Sequence, residues 1–351
     1  MFELDGESTI EQALLDAYPD AEPVCFSVPE PGGHELAGCI AIRREEPVPH
    51  WVVVSRGFSE LGEKTGDDPE VSGWGFELTC RLPARSEEPD FGWVVSWMEN
   101  VAQHLNEQVS VIDTCHHMPM WQTADEDELA AVVFVEEPVI EPTRSRNGNV
   151  TFLQMVGLTN GEYEALQAWD PASLIELVRA RDPLLLTDAA RASYMRQPDF
   201  ARAVAEGHAR DGSSTAILHR VPILWSAGPD GIEVHLSVEA VGLVKWAIGA
   251  RLAHGNPMFL YGERRRMVRP DGSLAVSSQL NVALRPEKGI SEIDESDDGG
   301  KLCVLRLSVD ARAELAAMPE EPGVYTFTSL KGVKLVVARR QRIRQPSYPG
   351  L

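Results

Sequence analysis

The sequence predicts an α+β protein made of two mixed domains, each a mostly antiparallel or mixed sheet with packed helices, joined by a short hinge. Three observations predict it. Residues 72–83, SGWGFELTCRLP, alternate apolar and polar side chains at the two-residue period of a strand. Residues 92–107 then change to helical spacing, with Val94, Trp97, Met98, Val101 and Leu105 on one face. The remainder of the 351 residues continues as interleaved strands and helices without regular βαβ spacing, at a length that suits two domains. The fading core signal over 196–214 and the turn DGSS put the boundary between the domains near 210.

The elements follow in order. STIE at 8–11 fits a capping box, Ser8 as cap and Glu11 reaching back, before a helix over 9–18. VCFSVPEPGG and GCIAIRR read as two strands around a Pro/Gly turn, and HWVVVSRGF as a third. A polar Gly/Asp-rich loop, ELGEKTGDDPEVS, leads into the strand at 72–83. That strand sends Trp74, Phe76, Leu78, Cys80 and Leu82 to one face and Glu77, Thr79 and Arg81 to the other. The polar row is expected to form same-face ion pairs on the open side of an antiparallel sheet. Its other reading is the polar floor of a cleft.

Beyond the helix, QVSVIDTCHHM reads as a short strand and a loop, AVVFV as a buried strand, and NVTFLQMVGL as a central one. TNGE at 159–162 is a second capping box. Asp170 before Pro171 marks another helix start, with Leu174, Leu177 and Val178 facing inward. The core signal fades over 196–214, and DGSS reads as a turn. TAILHRVPILW, GIEVHLSVEAVGLVKWAIGARL, PMFLYGERRRMV and SLAVSSQLNVAL then read as strands. EKGISEIDESDDGGK reads as an acidic loop, CVLRLSV as a strand, DARAELAAM as a short helix and KLVVARRQRI as the last strand. The basic tail ARRQRIRQ reads as a solvated edge guarded by charge.

Composition narrows the function. Apolar residues make up 43%, too many for a disordered chain, and no run reaches the length of a membrane span. The start, MFELDGESTIEQ, has acids where a signal peptide needs a basic and then an apolar region, so a cytoplasmic location and no membrane partner are expected. A net charge of −22 argues against nucleic-acid binding. The same charge could steer a basic protein partner, or serve solubility alone. Five scattered cysteines without a CxxC pair are expected to be free thiols in a reducing compartment.

Catalytic signatures are missing: no Gly-rich phosphate loop, no GxSxG and no HExxH. No enzyme activity, cofactor or metal is expected. The densest cluster of chemical groups is DTCHHM, with Asp113, Cys115, His116 and His117 as possible ligands. Adjacent histidines on extended chain point opposite ways, so a surface loop or binding rim is favoured. The alternative is a metal- or thiol-dependent enzyme using Cys115, His116 and His117. RRR at 264–266 could be an anion site or a hairpin end.

HWVVVSRGFSEL, SGWGFELTCRL, VTFLQMVGL, QAWDPASLIELVR and LLLTDAARAS occur in an order and spacing that resemble the Suppressor of fused family. ARDGSS at 209–214 resembles that family's interdomain hinge, which implies domains over 1–208 and 215–351, and VEAVGLVKWAIGARLAHGNPMFLYG resembles a stretch of its C-terminal domain. LHRVPILW and VEAVGLV lie too close together for the long insertion of animal members, so the chain reads as a compact, two-domain bacterial-type member.

The resemblance implies a non-enzymatic binding protein; a monomer without cofactor is expected. A partner peptide would lie in an interdomain cleft and extend the sheets by strand addition. Bacterial members are associated with polymorphic toxin systems, which implies an immunity protein that neutralises a toxin. The alternative is a regulatory scaffold for another cellular protein. Carried over residue by residue, Asp211 and Gly212 match the hinge Asp-Gly, and Leu218 and Arg220 align with peptide-facing positions. His104 and His116 stand where the family has a tyrosine and an aspartate, which implies a different ligand.

Overall fold

The structure, a computed structural model, describes residues 5–27, 36–86, 90–107, 111–262, 267–268, 274–275, 280–295 and 300–340. The Pro/Gly turn after the first strand, the RRR run and most of the basic tail lie outside the described residues. Two compact units divide the chain: Met1–Leu166 with Pro171–Ala203, and Gln167–Asp170 with Val204–Leu351. Both mix helices with sheets, the α+β class that the sequence predicts.

The first unit contains α1 (Gly6–Ala17), β1 (Val24–Ser27), β2 (Gly38–Arg44), β3 (His50–Arg56), β4 (Val71–Pro83), α2 (Gly92–Glu107), β5 (His117–Pro119), β6 (Leu129–Glu136), β7 (Thr143–Ser145), β8 (Gly148–Thr159), α3 (Asn160–Ala168, except Gln167 and Ala168, which belong to the second unit) and α4 (Pro171–Arg179). Its sheet runs β1-β2-β3-β4-β8-β6-β5, with β7 paired to β8. β8 is central, as its apolar run predicts, and pairs in parallel with β4. The inward face of α2 packs on Phe76, Leu78, Cys80 and Leu82. The capping box at α3 forms as expected: the Thr159 amide donates to the Glu162 carboxylate at 3.1 Å, and the Glu162 amide returns a bond to Thr159 Oγ1 at 3.4 Å. At α1 the cap differs. The Asp5 carboxylate accepts the Ser8 amide at 2.8 Å, so the helix starts at Gly6 and Ser8 lies inside it.

The polar row of β4 does not face water, nor does it floor a cleft. Glu77 and Thr79 are 0% exposed and Arg81 is 1% exposed. The second face of the sheet is covered by α1, whose Ile10 and Leu14 pack with Ile40, Ile42, Val52, Val54 and Phe152. Polar side chains caught under that layer need internal partners. Glu77 accepts from Ser55 Oγ at 2.5 Å, Ser59 Oγ at 2.7 Å, and the amides of Ser59 at 2.9 Å and Gly57 at 3.1 Å. Arg81 pairs with Glu137 rather than Glu77, and also donates to Gln154 Oε1 at 2.6 Å. Burial works against the Arg81 charge, but the Glu137 carboxylate outweighs it and raises the guanidinium pKa.

α5 (Pro198–Asp211) starts in the first unit and ends in the second, where the sequence showed a fading core and a turn. The second unit continues with β9 (Ile217–Val221), β10 (Ile223–Gly228), β11 (Gly231–Ser237), α6 (Val238–Ala250), β12 (Met258–Gly262), β13 (Met267–Val268), β14 (Leu274–Ala275), β15 (Asn281–Arg285), β16 (Glu292–Glu295), β17 (Lys301–Arg306), α7 (Val309–Ala316), β18 (Gly323–Thr326) and β19 (Val333–Arg340). One sheet runs β10-β11-β19-β13-β14 with β18 on β19, and the other β16-β17-β15-β12-β9. Side chains from both sheets, α6 and α7 share one core that includes Trp225, Val244, Leu284, Leu305 and Leu335.

Three expectations change here. The stretch read as continuous strand after GIEVHLS is α6, capped by Ser237, whose side chain accepts the Ala240 amide at 3.2 Å. Part of the acidic loop is β16, paired antiparallel with β17. The described part of the basic tail, residues 338–340, is interior rather than edge, because it lies in β19, which is flanked by β11 and β13. Among the described residues, no helix is long and apolar enough to cross a membrane.

Candidate functional site

A sheet can take on another chain at an edge strand, where outward N–H and C=O groups have no ladder partner. The edges here are unequally protected. β5 has three residues and ends in Pro119. β16 carries Glu292, Asp294 and Glu295. β10 is turned against the other sheet, its Trp225 indole donating to the Asn281 carbonyl at 2.9 Å. β1 (VCFS) and β9 (ILHRV) have neither acid nor proline, and β9 is the longer.

The register of β9 fixes which groups are open. It runs parallel to β12, with Ile217 opposite Phe259 and Leu218 opposite Leu260, and the Phe259 amide donates to the Ala216 carbonyl at 2.8 Å. Bonding residues alternate along a parallel ladder. The backbone of Leu218 therefore faces β12, while the N–H groups of Ile217 and His219 face away from the sheet. Leu218 packs its side chain on the core of the unit. Ile217 is 43% exposed, and the exposed His219 ring stacks on Tyr261 with centroids 5.3 Å apart and planes 13° apart.

The straight edge ends after His219. The next register pair is Val221 with Gly262, so His219 and Arg220 together span the place of Tyr261 alone. Such a bulge bends the strand. Arg220 has φ 56°, a left-handed conformation uncommon for a residue with Cβ, and its side chain makes no ion pair among the described residues.

The Asp-Gly pair just upstream is firmly placed within the second unit. Gly212 ends α5 with φ 71°, where a Cβ would lie 2.5 Å from the Ala250 carbonyl and 2.6 Å from the His254 ring. The Asp211 carboxylate accepts from Arg210 Nη2 at 2.6 Å and from the Trp169 indole at 3.0 Å, and these donors hold its pKa below the usual range in that order. Ser213 Oγ donates to the Gln167 carbonyl at 2.5 Å, and the Ser214 amide donates to the Trp169 carbonyl at 2.7 Å. These bonds explain why 167–170 belongs with the second unit.

The other predicted residues lie in the first unit. His104 is half-buried in the last turn of α2. His116 is exposed beside β5, where its carbonyl accepts the Phe134 amide at 2.9 Å and its Nδ1 accepts the Asp113 amide at 3.1 Å. His117 turns inward against Tyr163, with centroids 5.5 Å apart, and its buried Nδ1 has no hydrogen-bond partner. Burial first, then the neighbouring His116, pushes its pKa down to about 4. The two rings thus diverge, and among the described residues no three His, Cys, Asp or Glu side chains converge as a metal site. None of the five cysteines forms a disulfide. Burial pushes the thiols of Cys39, Cys80 and Cys303 up to about 12.

The sequence reading missed His219, whose alternation with Ile217 was the available signal, and Tyr261, which topology alone brings beside it.

Residues 33–192 match the family model described as Suppressor of fused protein (SUFU). The Suppressor of fused homolog of Mus musculus is 31% identical over 180 residues, which cover 47% of this chain and 37% of that protein. The chain thus spans little more than a third of the length of the curated relative it matches. The crystal structure of Drosophila Suppressor of Fused shares the fold at a TM-score of 0.72 and 16% identity, over 97% of this chain and 98% of that one. A chain of the Sufu-Fu complex crystal structure aligns at a TM-score of 0.50 and 19% identity, over 57% of this chain and 98% of that one.

Proposed function

We propose that this chain, which belongs to the Suppressor of fused family through residues 33–192, binds another protein and performs no chemistry on it. The observation that carries the reading is the open edge of β9, where the N–H groups of Ile217 and His219 await a partner strand. A solved complex of a Suppressor of fused relative with a second protein supports a binding role. Main-chain hydrogen bonds would supply affinity, and Asp211, Gly212, Leu218 and Arg220 would set the frame on which the segment lies. His104 and His116 would contribute a second contact region, matched to a ligand other than the animal one.

Within that role we propose an immunity protein that neutralises a toxin in the cytoplasm. A net charge of −22 suits a basic, nuclease-type toxin, whose capture it would accelerate. The test is co-expression with an inactivated toxin encoded by the adjacent gene. Stable co-purification, together with protection of cells from the active toxin, is the expected result. Absence of both would remove the immunity role. Binding to a non-toxin cellular protein instead would make the chain a regulatory scaffold.

A further inference from the structure

The His219 ring is exposed on the open edge and stacks on the half-buried Tyr261 of β12, and neither ring belongs to the core of the unit. We infer that the segment paired with β9 places an aromatic side chain on the His219 ring, extending the stack by one member; this rests on the strand-addition reading above.

The geometry is specific. Side chains directly opposite on neighbouring strands sit close enough to touch. Tyr261 on β12 already meets His219 on β9 in this way. An added strand repeats the spacing once more, so its residue opposite His219 lies over the outer side of the imidazole. An apolar ring fits there, stacking offset on the imidazole.

Two features restrict the alternatives. Arg220 next to His219 is exposed, so a lysine or arginine at that position would bring a like charge beside it. The left-handed backbone at Arg220 and the accompanying bulge interrupt the ladder before it resumes at Val221, so the straight stretch offered to a partner ends at His219. The result is a short segment with one ring at a fixed position. That central residue is thus non-basic even if the partner as a whole is basic.

The test uses the full chain and three capped nine-residue peptides of alternating Thr and Val, with Trp, Leu or Lys at the central position. Affinities come from fluorescence or calorimetry, and ring signals of His219 and Tyr261 are followed by NMR. The expected order is Trp over Leu by about three- to tenfold, the usual worth of an added aromatic pair, with Lys weakest. Ring-current shifts at both rings accompany Trp binding. His219→Thr, which retains strand propensity, brings Trp down to the Leu value and leaves Leu unchanged. Equal affinities for Trp and Leu, both weakened by His219→Pro, overturn the aromatic preference while strand addition stands. Failure of every peptide to bind, with partner binding indifferent to His219→Pro, overturns strand addition and this inference with it.

Discussion

Arg81→Met should be among the most damaging single substitutions in the first unit. The guanidinium and the Glu137 carboxylate are 1% and 0% exposed at their side chains. Arg81 Nη1 donates to Glu137 Oε2 at 3.0 Å, Nη2 donates to Oε1, and Gln154 Oε1 accepts a further bond. Methionine fills much of the same volume but donates nothing. Glu137 would keep Thr79 Oγ1 at 2.5 Å and the Val139 amide at 3.2 Å, two neutral donors for a full charge. Breaking a buried pair from one side costs about 3–5 kcal/mol, a large part of the ~5–15 kcal/mol that holds a domain folded. Glu137→Leu alone should cost a similar amount, because it strands the cation. The double variant removes both charges, and its cost should fall well below the sum, leaving a coupling of several kcal/mol. Urea unfolding of the four proteins, followed by tryptophan fluorescence, measures the cycle. Additive costs, or less than about 1 kcal/mol for Arg81→Met, would show that the row on β4 is solvated and that this account of the sheet is wrong.

His219→Pro should weaken partner binding at least tenfold while leaving the melting temperature nearly unchanged, since the lost N–H points outward; Leu218→Pro removes a bond to β12 and should lower stability instead. Scanning calorimetry beside a binding titration separates the two. His117 is held neutral in the fold with a pKa of about 4, below the value near 6.5 of an unfolded chain. Its stabilising effect is therefore complete above about pH 6.5 and lost as the pH falls through 4, up to ~3 kcal/mol. Urea midpoints at pH 7.5 and 4 should draw closer in His117→Gln than in the parent, and an unchanged gap would contradict the assignment. Gly207→Ala places a methyl 2.2 Å from the Trp169 ring, so it should destabilise by about 1–2 kcal/mol despite the better helix propensity of alanine. A raised melting temperature would show that the ring moves aside freely.

Periodicity made β4, β8 and α2 legible, because each presents a contrast between faces or a length that suits one element. α6 lacked that contrast. Val238, Val241, Leu243, Val244, Trp246 and Ile248 leave few polar positions, so the run reads as strand although its buried residues Ala240, Val241, Val244, Ala247 and Ile248 keep helical spacing. The cap at Ser237 was the available sign of a helix start. The fate of Glu77, Thr79 and Arg81 could not be read locally. Their partners Ser55, Glu137 and Gln154 lie far away in sequence, and α1 covers the face only once the chain is folded. At the candidate site, ILHRV was legible as a strand and Asp211-Gly212 as a chain reversal. The edge position of β9 follows from strand order, and the left-handed turn at Arg220 leaves no mark in residue type.

That turn also bears on how the edge remains safe. An edge strand five residues long with neither acid nor proline invites pairing with any extended chain, including its own copies. β16 meets the hazard with carboxylates and β5 with brevity and a proline. β9 has neither protection, but Arg220 bends it out of the ladder after Ile217, Leu218 and His219. Two outward N–H groups are too few to hold an arbitrary strand against the entropy of ordering it. Binding then depends on what side chains add, and at this edge the available addition is the face of the His219 ring. The feature that limits non-specific pairing is thus the same one that makes selectivity depend on the residue opposite His219.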